Sequence, residues 1–118
     1  MVQWGWLQVE QYERSGTAIL DSVGNGTVTL LGPPIGYILR IIGGNVQTQG
    51  VGNPIATVYR NFQTSNNVLA TTTNSRSNNI NGDGSTFLYA GENPVIGFTG
   101  GAPFQTVTFR LIGVLERN

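Results

Sequence analysis

Few side chains in this 118-residue chain can do chemistry: the acids Glu10, Glu13, Asp21, Asp83, Glu92 and Glu116, and six basic residues, all of them arginine. Histidine, cysteine and lysine are absent. Their absence removes nucleophile–histidine arrangements, thiolate catalysis, Schiff bases, phosphate-binding loops and every metal site built on imidazole or thiolate. What is left is carboxylate chemistry, which depends on pairing. A glycosidase needs two carboxylates about 5 to 9 Å apart. Here Glu10 and Glu13 share the N-terminal segment, Asp83 and Glu92 read as loop residues, and no spacing pairs them. Asp21-Ser22-Val23 lacks the glycine of an aspartic-protease turn. Asn79-Ile80-Asn81-Gly82-Asp83-Gly84-Ser85 opens like a calcium loop, with oxygen side chains at its first, third and fifth places. It begins on Asn, however, and has Ala90 where a bidentate Glu belongs, so it reads as an Asn/Gly turn. The expectation is a protein that is not an enzyme, with no cofactor and no metal.

Charge narrows the partners. The formal net charge is zero and 10% of residues are charged, against about a quarter in an average soluble domain. Arg14, Arg40, Arg60, Arg76, Arg110 and Arg117 are scattered, so no basic block exists to neutralise phosphates, and nucleic acid is not an expected partner. The N-terminus MVQWGWLQVEQ has no basic region ahead of an apolar run, and IGYILRII is broken by Arg40 and stops at Gly43. Neither a signal peptide nor a membrane span is expected. Arg40, Arg60 and Arg110 are each central in a long expected strand. They read as three separate solvated side chains, or as an outward row across one sheet whose guanidinium forks meet a partner subunit.

The elements that carry these residues are marked by proline and glycine. Pro33-Pro34, Pro54, Pro94 and Pro103 stand just ahead of apolar or β-branched runs, and Gly32, Gly43-Gly44, Gly91 and Gly100-Gly101 close them. Between these marks the period is two. Val107, Phe109, Leu111, Gly113 and Leu115 fall on one face, with Thr106, Thr108 and Arg110 on the other; Val58 and Phe62 oppose Thr57 and Tyr59 more weakly. No segment shows capped helical periodicity. We therefore expect an all-β fold, an antiparallel two-sheet sandwich of jelly-roll type with two sheets of four. The expected strands are 17–23, 27–31, 36–43, 55–62, 68–73, 86–90, 94–99 and 105–115, with an extra one in 2–9. Gly24-Asn25-Gly26 reads as the hairpin turn between the first two, and 74–85 as a polar surface loop.

The length suits one domain. It divides into residues 1–16, an N-terminal arm or edge strand, and 17–118, the sandwich. Both tryptophans lie in the first part. Trp4, Trp6, Leu7, Val9 and Tyr12 precede a Ser15-Gly16 break. They read either as a strand or lid on their own sandwich or as an arm inserted into a neighbouring chain, since aromatic residues anchor both cores and interfaces.

The combination TVTLLGPPIGYILRII, IATVYRN and YAGENPVIGFTGGAPFQTVTFRLIGVLE resembles small β-sandwich virion proteins of tailed bacteriophages, above all head decoration (cement) proteins. It covers residues 27–115 in strand order, Gly/Pro punctuation and an Asn/Thr/Gly-rich surface. The resemblance implies a structural protein made in the host cytoplasm and carried on the particle surface. It would bind the major capsid protein, stabilise contacts between shell subunits and form a homotrimer. A carbohydrate- or receptor-binding module is the alternative, with Tyr37, Tyr59, Phe62, Phe87, Tyr89 and Phe104 as a platform for a surface glycan. A head–tail or tail accessory role shares the virion setting.

Overall fold

Residues 9–48, 52–71, 79–81 and 86–117 are described by a computed structural model. In chain order the strands are β1 (Val9–Ile19), β2 (Gly26–Thr29), β3 (Tyr37–Thr48), β4 (Ile55–Arg60), β5 (Val68–Thr71), β6 (Asn79–Asn81), β7 (Phe87–Tyr89), β8 (Pro94–Thr99) and β9 (Thr106–Arg117). One 3-10 turn, Ser65–Asn67, precedes β5, and no α-helix occurs among the described residues. No helix there is long and apolar enough to cross a membrane.

The pairing is nested. β1 pairs with β9, β2 with β8, β3 with both β6 and β7, and β4 with β5, all antiparallel. Treated as one interrupted strand, β6 and β7 make this an eight-strand hairpin rolled over on itself, which is a jelly roll. Its sheets run β1-β9-β3-β6, with β7 also on β3, and β2-β8-β4-β5. The first sheet therefore has five strands where four were expected. The additional one is β6, within the stretch 74–85 that composition marks as loop; its residues 79–81 pair with Gly43–Asn45.

Period-two alternation becomes the core. Val107, Phe109, Leu111, Gly113 and Leu115 of β9 are all buried, facing Ala56, Val58, Ile96 and Phe98 of the second sheet. Burying each large apolar side chain contributes about 1.5–3 kcal/mol. β8 is buried almost throughout because it lies between β2 and β4 and is covered on its outer side as well. There Gln63 and Tyr59 close over Gly97. Phe62, expected beside Val58 on one face, lies beyond the end of β4 and is exposed.

Several boundaries differ from expectation, each for a steric or hydrogen-bonding reason. The first strand starts at Val9 instead of 17, so the division at 16/17 falls inside β1. Gly16 is not a break but an interior residue of β1. A Cβ there would come within 2.7 Å of Val28 and Leu30 side chains, so glycine lets β2 pack closely under the strand. Similarly β3 runs through Gly43-Gly44 to Thr48, with a bulge between Ile41 and Gly43, because a side chain at Gly44 would strike the Phe109 ring and the Arg110 carbonyl. The turn after β1 is tight but joins no hairpin, since β1 and β2 belong to opposite sheets.

Tyr12 sits in the core at 1% exposure, and its hydroxyl donates to the Leu31 carbonyl across the sandwich at 2.7 Å. Burial raises its pKa from 10.0 to about 12. A raised acid favours the protonated fold, so this stability is complete below pH 10 and lost as pH rises towards 12. Tyr12→Phe should cost about 1 kcal/mol at neutral pH, lowering Tm by several degrees, by loss of one buried hydrogen bond. Thermal melts from pH 9 to 12 should fall less steeply for this variant than for the wild type.

Candidate functional site

Two turns at one end of the sandwich are locked into a single unit. In the first, the Asp21 carboxylate accepts hydrogen bonds from Val23 N (2.9 Å) and Asn25 N (3.0 Å), while Asp21 N donates to Asn25 O and Gly24 N to Asp21 O. These N–H groups, Asn25 first, hold the Asp21 carboxyl below its usual 3.8. In the second turn, the buried Gln105 side chain accepts from Ala102 N at 3.0 Å and donates to Gly52 O at 3.2 Å.

The turns are joined by backbone. Leu20 N donates to Gln105 O, Phe104 N to Asp21 O at 3.1 Å, and Gly101 N to Gly24 O at 3.1 Å. Contact is so close that a Cβ on Gly24 would lie 2.0 Å from the Gly101 carbonyl oxygen, and Gly24 has φ +83°. No L side chain fits there. Much of the polar backbone of this end is thus hydrogen-bonded within and between the turns, and the Gln105 side chain is turned inward, while several apolar side chains face out. Val23 is 69% exposed and Phe104 67%, with Ile19, the last residue of β1, at 71%.

Phe104 is the unusual residue. Its φ is +58°, one of two positive values outside glycine among the described residues. A left-handed backbone costs an aromatic residue about 1–2 kcal/mol. That strain is held in place by the Phe104 N to Asp21 O bond and the Gln105 side chain, and it is not repaid by burial. Strain kept at an exposed aromatic is a recurrent mark of a functional position. Sequence reasoning grouped Phe104 with the strand-entry proline and the aromatic platform; the available signal was Gly100-Gly101-Ala102-Pro103, a run too turn-rich to lead straight into a strand.

The residues singled out by sequence are placed as follows. Trp4, Trp6 and Leu7 lie outside the described residues, and Val9 opens β1. Tyr12 is committed to its own core and is not available to another chain. Arg40, Arg60 and Arg110 do not form a row. Arg40 and Arg110 belong to β3 and β9 of one sheet, Arg60 to β4 of the other. Each has a carboxylate within the chain. Arg40 grips Glu116 with Nε and a terminal nitrogen at 3.0 and 2.9 Å while stacking over Phe87 at 4.4 Å. Arg110 meets Glu13 at 2.8 Å. Arg60 reaches across to β7, donating to Phe87 O and lying 3.4 Å from Glu92. Three of the six acids, Glu13, Glu92 and Glu116, are therefore engaged with arginines of the same chain. The Arg40 fork holds Glu116 below its usual carboxylate value.

The six aromatic residues of the glycan alternative are dispersed. Tyr59 lies over Gly97, Phe87 under Arg40, Tyr37 beside Arg117, Phe62 beyond β4 and Phe104 at the locked turns; Tyr89 is exposed at the end of β7. Of the loop resembling a calcium site, 79–81 form β6 and 82–85 lie outside the described residues. Among the described residues no three metal-ligating side chains converge.

No family model matches the chain, and no curated protein and no solved structure matches it either. Fold and site together define a jelly-roll domain whose tip is a pair of hydrogen-bonded turns that expose Val23 and Phe104.

Because the Asp21 carboxyl is lowered, its contribution is complete above pH 3.8 and lost as pH falls below its folded value. Asp21→Asn should flatten the acid limb of the stability profile below pH 4 while leaving the melt at pH 7 folded and cooperative. Urea midpoints taken from pH 2.5 to 7 check this.

Proposed function

We propose that this protein is a non-catalytic structural subunit that attaches to a protein surface through the Asp21–Asn25 and Gly101–Gln105 turns, with Phe104 as the anchor. The observation that carries the reading is an exposed phenyl ring on a strained backbone that the surrounding hydrogen bonds hold rigid. A rigid aromatic loses little entropy on docking, and such residues dominate interface energies. Asp21 is the only charged residue of the two turns and its carboxylate is engaged with backbone. The complementary site is therefore an apolar socket on a protein, not a phosphate-rich surface. The resemblance to head decoration proteins makes the virion shell and its major capsid protein the first surface to test. The jelly roll is compatible with that role but, as a fold shared by many functions, supplies no proof of it. The scattered aromatics give the glycan reading no comparable support.

The test uses two substitutions at one position. Phe104→Gly removes the ring and suits the backbone, so stability should stay within about 1 kcal/mol of the wild type. Binding to heads assembled without this chain should weaken by more than about tenfold. Phe104→Ala should bind as poorly. Co-sedimentation with heads, quantified per particle, is the measurement. Wild-type affinity in both variants would remove the tip from the interface, and no binding by the wild type would end the virion reading.

A further inference from the structure

The sheet edges of this fold are unequal. β2, β5, β6 and β7 are three or four residues long, and short edge strands are one way sheets avoid pairing with other chains. β1 has eleven residues, no proline, and an unbroken register against β9 from Val9 to Ile19. Among the described residues nothing pairs with its other side.

Two observations fix which backbone groups face outward. Leu20 N donates to Gln105 O, which carries the β1–β9 ladder one step on and shows that the even-numbered residues point their backbone groups at β9. On the other side, Glu13 O accepts from the Arg14 side chain at 3.0 Å, so it is not taken up by β9. The odd-numbered residues, Gln11, Glu13, Ser15 and Thr17, thus turn N–H and C=O to the free edge.

We infer that this edge is a self-association site, at which β1 of a second copy pairs antiparallel about Tyr12 and joins the two five-strand sheets into one. In that register Gln11 faces Glu13 of the second copy and Val9 faces Ser15, so the outward backbone groups meet in ladder pairs. Glu10 faces Arg14 twice by symmetry, an isologous contact. Centring on Glu13 instead would set that residue against itself, and centring on Arg14 would do the same for arginine; of the registers centred on a β1 residue, only the one about Tyr12 sets opposite charges face to face. Glu10 and Arg14 are both exposed. The Arg14 guanidinium, which in the single chain covers the Glu13 carbonyl and lies 5.2 Å from the Tyr12 ring, is released to Glu10 of the second copy when that carbonyl gains a backbone donor.

This inference is independent of the attachment reading, since mass and head binding are measured separately. Sedimentation at micromolar concentrations should give twice the 12.6 kDa chain mass. Glu10→Arg and Arg14→Glu should each raise the dimer dissociation constant about tenfold or more, and the double reversal should restore it. Gln11→Pro deletes an outward N–H without touching the β9 ladder, and should yield a folded monomer. A wild-type monomer or trimer would overturn the proposal. So would a dimer that ignores the single reversals or Gln11→Pro, or one that the double reversal fails to restore.

Discussion

The structure depends on β9 being paired on both sides along nearly its whole length, by β1 on one edge and β3 on the other. A strand so enclosed has its backbone groups satisfied by its neighbours, so its side chains are free to be sorted strictly by face. The five inward residues of β9 set the depth of the core, and β1 and β3 must present complementary small and large residues against them. Hence Tyr12 pairs with Gly113, Gly16 pairs with Phe109, and Gly44 makes room for the Phe109 ring. Nesting follows from the same constraint. Thr17 and Thr108, 91 residues apart in sequence, share a hydroxyl hydrogen bond of 2.8 Å because every pair inside them is already closed. Loop-closure entropy grows only slowly with chain length, which makes so distant a pairing tolerable.

A chain with so few charges uses them between strands. Glu13–Arg110 ties β1 to β9, Glu116–Arg40 ties β9 to β3 and reaches over Phe87 of β7, and Arg60 links β4 of one sheet to β7 of the other. Exposed pairs of this kind contribute little singly. Their value is geometric, since each selects one register in a sheet whose outer face is otherwise Thr, Asn and aliphatic side chains. The outward arginines are therefore engaged within the sandwich itself.

The two ends of the sandwich are built alike but finished differently. At one, Asn93 accepts from Gly32 N and exchanges bonds with Asn61, fixing the loops after β2 and β4 together. At the other, Asp21 and Gln105 do the same for the turns after β1 and β8. Both ends spend polar side chains on backbone groups, as loops at the end of a thin core must. Among the described residues only the second end carries an exposed phenyl ring on a left-handed backbone, and in the attachment we propose its value is that a ring already held in place has little freedom left to lose.

The sequence by itself determined the class of fold. Alternation in 105–115 names the inward residues of β9, and proline and glycine punctuation locates β4, β8 and the turns around them, because period two and positive φ are local properties of the chain. Exclusion of histidine, cysteine and lysine chemistry is likewise compositional. Tertiary structure alone decided the rest. Gly16 and Gly44 look like breaks from sequence and are interior strand positions, since what they accommodate is a side chain brought in by the fold, Val28 and Leu30 from the side of the opposite sheet at Gly16 and Phe109 at Gly44. Arg60 looks like Arg40 and Arg110, yet lies on the other sheet. Asn79–Asn81 reads as loop and pairs as a strand because β3 offers it a free edge. Phe104 reads as the start of a strand and is instead a left-handed turn residue, a conformation imposed by Asp21 more than eighty positions earlier. Each depends on contacts between distant segments, which no local pattern encodes.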